Sequence, residues 1–264
     1  MRAAVLGLGE AGRLYAQGLV VAGVEVTAFD PVAHSPLEGV RREASIAAAV
    51  AGVDVVLSLV GAVHAPAVLR EALPSMPAAS LFADFNTGSP SQKQELASEA
   101  RLAGIPFADV AIMAPVPRAA ERTAILVSGD GAAQLTALWN ELKLPVENVG
   151  TTAGTAAGLK LLRSVFMKGL AGLVFESVSA ATMAGSSDWL RGQIAGELGP
   201  DGAALVDRLI DGTRAHADRR EHEMLDTREY LESLGAPTWM TAGTIEWLHA
   251  LAENPSFPVT ELER

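Results

Sequence analysis

The chain has 264 residues, 49% hydrophobic and 19% charged, with a formal net charge of −11 and no cysteine. That length supports a large core in one or two domains. The acidic balance, with no run of Lys and Arg, excludes a basic nucleic-acid surface, and the lack of cysteine excludes disulfides, thiolate metal sites and a thiol nucleophile. The five histidines are scattered, so no metal site is expected. Met1 leads directly into a strand-like run without a basic leader, which points to a cytoplasmic protein.

Residues 2–6 (RAAVL) predict a buried strand. Gly7-Leu8-Gly9-Glu10-Ala11-Gly12 follows, then a helix to about Val21 and a second strand (24–29) ending at Asp30. This is GxGxxG between strand and helix, with an acid 18 residues past its last glycine. Gly7 permits the tight turn, Gly9 lets a pyrophosphate approach the backbone, and Gly12 lets helix and strand pack closely. The helix start offers unpaired N–H groups and a positive dipole end to the phosphates. Asp30 suits the hydroxyls of an adenosine ribose and predicts NAD, although Arg41 and Arg42 can meet the 2′-phosphate of NADP if their loop folds back. The other reading is a glycine-rich turn with no cofactor.

The alternation continues with helices at 45–52, 66–73, 90–103 and 132–142, and strands at 54–61, 80–85, 106–112, 123–129 and 145–150. Strands separated by helices predict a mostly parallel Rossmann-type α/β sheet covered on both faces. Ligands of such sheets lie beyond the strand C-termini, which nominates Val60 after one strand and Asn86 and Thr87 after another. Asn86 and Thr87 either face the nicotinamide or cap the following turn, with Ser89 or Pro90 opening the helix.

After Thr151 the strand patterns stop. Residues 153–183 predict one helix, roughly 45 Å long at 1.5 Å per residue. Its cations break the apolar run below the roughly 18–20 residues a membrane span needs, so no membrane contact is expected. Lys160, Ser164 and Lys168 follow at i, i+4 and i+8 and share a face. Helices are then predicted at 188–198, 201–234 and 237–252, followed by an extended tail. The expected division is a dinucleotide-binding domain at 1–152 and an all-α domain at 153–264. So long and apolar a helix predicts a homodimer through the helical domain. Arg214, His216, Arg219, Arg220 and His222 form either a solvated face or a cluster reaching an anionic substrate.

Together these features resemble the β-hydroxyacid dehydrogenase superfamily, which includes 3-hydroxyisobutyrate and 6-phosphogluconate dehydrogenases. GLGEAG is similar to its GLGxMG, with Ala11 in place of methionine. GTAAGLKLLRS is similar to its glycine turn, lysine and asparagine pattern. The resemblance implies that Lys160 is the catalytic lysine and that Ser164 stands at the helper asparagine. KLLRSVFMKGL resembles a branch with a phosphogluconate-dehydrogenase-like C-terminal domain of unassigned function. It also implies dimers with interleaved helical domains. Family members that grip a small carboxylate use D-A-P-V-S-G-G; here Asp109 begins DVAIMAP, so Met113, Ala114 and Pro115 replace Ser-Gly-Gly. Met113 cannot hydrogen-bond a carboxylate as serine does, which points to a bulkier or less anionic substrate.

The expected activity is NAD(P)-dependent hydride transfer to or from a hydroxy acid or related secondary alcohol. Lys160, desolvated by its apolar helix and so depressed in pKa, is the general acid and base. Ser164 orients the reacting groups, and Lys168 either binds an anionic substrate group or stays exposed. The alternatives are an imine reductase, against which Lys160 argues, and a non-catalytic NAD(H)-binding regulatory dimer.

Overall fold

The computed structural model describes residues 1–33 and 35–254. The chain divides into two units, Met1–Lys160 and Leu161–Arg264. The first unit runs β1 (Arg2–Leu6), α1 (Glu10–Val21), β2 (Glu25–Phe29), β3 (Val40–Arg42), α2 (Ile46–Val50), β4 (Val55–Ser58) and α3 (Ala65–Ala72). It continues with β5 (Leu81–Asp84), α4 (Pro90–Leu102), β6 (Phe107–Ile112), β7 (Ile125–Ser128), α5 (Ala132–Glu141) and β8 (Val146–Asn148). Among the described residues eight strands form one sheet in the order β3-β2-β1-β4-β5-β6-β7-β8. All neighbours are parallel except β6 and β7.

Strand side chains alternate between faces, and both faces of this sheet are covered. One buries Val5, Leu57 and Ala83 with Tyr15 and Leu19 of α1 and Trp139 of α5. The other buries Leu6, Val56 and Phe82 with Ala49 of α2, Leu69 of α3 and Leu96 of α4. Burial on both sides is why these strands are near-continuous apolar runs in the sequence. β3 has no such signal: it is three residues long, two of them arginine, and pairs only at the sheet edge beside β2.

The strand order reverses between β1 and β4, the point where open α/β sheets leave a crevice at their C-terminal edge. Gly7 ends β1 there with φ +91°, and a Cβ on it would lie 2.5 Å from the Leu59 carbonyl oxygen. A Cβ on Gly12 would lie 1.9 Å from the Gly7 carbonyl oxygen. The turn therefore closes only with glycine at both positions.

The long helix α6 (Thr155–Met183) starts in the first unit and continues into the second. There it is followed by α7 (Ser187–Glu197), α8 (Gly202–Arg214), α9 (Ala217–Ser233) and α10 (Trp239–Glu253). Val174, Phe175 and Val178 of α6 pack with Val206, Leu209 and Ile210 of α8 and with Leu251 of α10. The single helix expected over 201–234 is two helices, broken at Ala215 and His216. Gly212 and the β-branched Thr213 are weak helix residues. The break turns Ala217 into the α6–α8 cluster, and Met224 packs with Ile245 and Leu248 of α10. Among the described residues no helix is long and apolar enough to cross a membrane. The extended tail expected at the C-terminus lies, from residue 255 on, outside the described residues.

Candidate active site

The glycine turn and the end of β2 form one hydrogen-bonded unit. The Gly7 N–H donates to the Phe29 carbonyl at 2.9 Å. The Leu8 N–H donates to Asp30 Oδ2 at 2.6 Å, and the Val32 and Ala33 N–H groups donate to Oδ1 at 2.8 and 2.9 Å. Partial burial pushes the Asp30 carboxyl up, but these three donors and the nearby Arg42 charge outweigh it and hold the group below its ordinary value. Arg42 of β3 donates to the Asp30 carbonyl at 2.9 Å, whereas Arg41 pairs with Glu43 at 2.8 Å. Asp30 thus shapes the turn as well as ending the strand.

Gly9 is the N-cap of α1. Nothing lies within 4 Å of the position a Cβ would take there, and Gly9 and Glu10 are exposed. Open space over a helix start, beside an acid at the end of the next strand, fits a dinucleotide: pyrophosphate on the N–H groups, ribose at Asp30. Ala11 is half-buried, and Val60 lies at the mouth of the same turn, its Cγ1 3.0 Å from the position of a Gly7 Cβ.

Asn86 and Thr87 follow β5. Asn86 is buried and builds the crevice: its Oδ1 accepts from the Gly61 N–H at 2.7 Å, and its Nδ2 donates to Ser58 Oγ at 2.9 Å and to Asp84 Oδ1. The helix cap is Ser89, which accepts from the Gln92 N–H at 3.2 Å, with Pro90 opening α4. Thr87 is half-buried, and Lys160 Nζ of α6 donates to its Oγ1 at 3.3 Å. An ammonium group and a hydroxyl therefore meet at the C-terminal edge of β5.

Beneath this contact lies a buried ionic cluster that sequence reasoning missed. Lys93 of α4 is 1% exposed, Asp84 1% and Asp109 0%. Lys93 Nζ lies 2.7 Å from Asp84 Oδ2 and 3.4 Å from Asp109 Oδ1, and donates to the Asp84 and Asn86 carbonyls at 3.0 and 2.7 Å. Burial pushes the Lys93 ammonium down, but the two aspartates more than offset it and hold its pKa above the ordinary lysine value. Asp109 Oδ2 also accepts from Ser128 Oγ at 3.0 Å and from the Gly154 and Ala157 N–H groups at 3.0 and 3.1 Å. Ser128 Oγ accepts from the Ala156 N–H at 3.0 Å. The start of α6 is thus capped from β6 and β7. The signal available in the sequence is a repeated Phe-Ala-Asp, at 82–84 and 107–109; β5 and β6 pair these residues in register.

The Met113 N–H donates to the Ala124 carbonyl at 2.9 Å, and Ala114 and Pro115 are exposed. Proline has no N–H, so of these three amides only that of Ala114 remains as a donor for an anion. In the second unit, Lys168 Nζ donates to Ser164 Oγ at 2.9 Å and pairs with Glu223 of α9 at 2.8 Å. Arg219 lies 3.8 Å from Glu223, His222 Nδ1 is 2.9 Å from the Asp218 carbonyl, and Arg214 stacks over Phe175 at 5.6 Å. The Asp218 carbonyl and carboxylate raise the exposed His222 above its ordinary pKa. The structure thus joins Thr87 to Lys160 in the first unit, and Ser164 and Lys168 to Glu223 in the second.

Residues 2–142 match the family described as the NAD binding domain of 6-phosphogluconate dehydrogenase. The chain belongs to that family. Residues 181–251 match a further domain of unknown function, DUF1932. An uncharacterized 28.5 kDa protein of Methanothermus fervidus is 28% identical over 153 residues, which span 58% of this chain and 59% of that protein. Among solved structures, a conserved hypothetical protein of Sinorhizobium meliloti is 31% identical, with a TM-score of 0.80 over 98% of this chain and 91% of that one. The 3-hydroxyisobutyrate dehydrogenase of Mycobacterium tuberculosis shares the fold at 21% identity and a TM-score of 0.79, over 96% and 94% of the two chains. A Streptomyces aurantiacus imine reductase shares it at 17% identity and 0.64, over 97% and 95%. This member of the 6-phosphogluconate dehydrogenase NAD-binding family thus has the fold of 3-hydroxyacid dehydrogenases.

Proposed function

We propose that the chain is an NAD(P)-dependent oxidoreductase acting on a hydroxy acid or related secondary alcohol, with Lys160 as general acid and base. The observation that carries this reading is the Lys160 ammonium 3.3 Å from Thr87 Oγ1, at the sheet edge where the glycine turn also opens. When bound, the nicotinamide ring takes up or gives back a hydride. Gly7 to Gly12 hold the pyrophosphate, Asp30 the adenosine ribose, and Val60, Asn86 and Thr87 shape the nicotinamide end. Lys160 exchanges a proton with the substrate oxygen, and Thr87 holds the ammonium on the reacting side. Within the second unit, the Ser164 hydroxyl accepts from Lys168. Met113, whose N–H is spent on the Ala124 carbonyl, and Pro115 add no anion donor, which favours substrates of low negative charge. The test is a screen of hydroxy acids and neutral alcohols with NAD and NADP. Dinucleotide binding without turnover of any alcohol, carbonyl compound or imine would instead support a regulatory dimer.

NAD is the proposed cofactor. Asp30 has acceptor capacity left on Oδ2, and its charge repels a 2′-phosphate. A fluorescence titration should show tighter binding of NADH than NADPH, with Asp30→Ala erasing the difference and Arg42→Ala enlarging it. An NADPH preference above about tenfold, near 1.4 kcal/mol, overturns the assignment. The ratio is the readout because Asp30→Ala also removes the acceptor of the Leu8 N–H.

The helical unit is proposed to dimerise with a second copy. Leu162, Phe166 and Leu173 are 42%, 68% and 55% exposed, and at 100° per residue they lie on one narrow stripe of α6. Light scattering should give twice the chain mass of 27.4 kDa. Elution at the single-chain mass removes the dimer.

A further inference from the structure

We infer that Lys93 is a positioning residue for Lys160: one buried ammonium group fixes both partners of the Thr87–Lys160 contact. This deepens the reading of Lys160 as the proton-transfer group and rests on it. Toward β5, Lys93 Nζ donates to the Asn86 carbonyl at 2.7 Å. That carbonyl belongs to the peptide plane leading into Thr87, so the bond sets the direction in which Thr87 leaves β5. Toward β6, Lys93 Nζ lies 3.4 Å from Asp109 Oδ1, while the other oxygen of Asp109 accepts from the Gly154 and Ala157 N–H groups. Ala157 precedes Lys160 by three residues, on the same face of α6. The first turn of α6 is therefore held against rotation about its own axis, and Lys160 with it. A cation at Lys93 thus meets a turn on one side and a helix start on the other, and it acts on Lys160 only through them.

A residue with a purely structural role changes stability but leaves the surroundings of Lys160 unaltered in any variant that folds. The chain has four lysines, Lys93, Lys143, Lys160 and Lys168, so reductive ¹³C-methylation gives an NMR spectrum simple enough to assign. The Lys160 signal is identified by its loss in Lys160→Met. The deciding variant is Lys93→Met combined with Asp84→Asn, which removes one positive and one negative charge together. In the folded variant, with NADH binding within about threefold of the parent, the Lys160 resonance should move away from its position in the parent spectrum. The Lys168 signal should stay in place. Turnover, on any substrate the screen identifies, should fall by about ten- to a hundredfold in kcat with little change in the KM for NADH. Lys93→Arg keeps the charge but displaces the donors, and should shift the Lys160 signal in the same direction by less. It decides the question if the double variant does not fold. A Lys160 signal that stays put in either folded variant overturns the inference. If the signal moves but Lys160→Met still turns over substrate, positioning stands and the proton-transfer reading fails.

Discussion

Lys160→Met is expected to lower kcat/KM for hydride transfer by about 10²–10⁴-fold, while NADH binding stays within about threefold of the parent. Methionine keeps much of the length and apolar stem of lysine but removes the ammonium group that donates to Thr87. The pyrophosphate and ribose contacts proposed above lie at the β1–α1 turn and the end of β2, and the nicotinamide end follows β4 and β5, so deleting a group on α6 should separate chemistry from cofactor binding. Lys160→Arg should not restore the rate. A guanidinium stays protonated at all relevant pH and cannot give up and recover a proton as a general acid and base must. Equal turnover in Lys160→Met and the parent would end the assignment, whatever the cofactor titration showed. Loss of NADH binding together with turnover would show that Lys160 supports the cofactor rather than the chemistry.

Lys93→Met, as a single change, should destabilise the protein by about 3–5 kcal/mol, because it leaves buried carboxylates without their cation. For a chain of this size that is a fall in Tm of roughly 6–20 °C. Adding Asp84→Asn removes one of the two stranded charges and should recover a large part of the loss. The pH dependence has a definite sign. The folded-state pKa of Lys93 is raised above its ordinary 10.5. Its contribution is therefore complete below that value and is lost only as the pH rises through the higher folded-state value. Melting curves of parent and Lys93→Met should differ most near neutrality and converge in strong alkali. A difference that persists unchanged at the alkaline limit would show that packing of the lysine stem, not its charge, is what the mutation removes.

The glycine turn, Asp30 and most of the sheet were legible in the sequence for a physical reason. A parallel sheet covered on both faces needs apolar runs, and a tight strand–turn–helix needs glycine where Cβ atoms would collide with the backbone. Lys160 was legible as a cation on an apolar helix. Its neighbour Thr87 emerged from the rule about strand ends, although its partner Asn86 turns out to be a builder of the crevice, held to Gly61, Ser58 and Asp84. The Asp84–Lys93–Asp109 cluster was not foreseen. An aspartate closing an apolar strand resembles any turn residue, and only strand register places two of them side by side. Lys168 was open between exposure and substrate binding because its partner Glu223 is 55 residues away in sequence and meets it only through packing. The break between α8 and α9 was hidden for a similar reason: Gly212 and Thr213 are tolerated within many helices, and what ends this one is the burial of Ala217.

The antiparallel pairing of β6 and β7 has a consequence for how such a site can diversify. Apart from β2 and β3, the consecutive strands that pair in parallel are joined through a helix, so the connection carries part of a covering layer. β6 and β7 need only a hairpin-type return, and residues 113–124 make it at the C-terminal edge of β6, with Val116 anchored in the core. The middle of this connection is tied to the covering layer, with Val116 buried in the core and Glu121 against Gly18 of α1, so changes of length or chemistry fall on its exposed positions, Ala114, Pro115, Pro117 and Arg118.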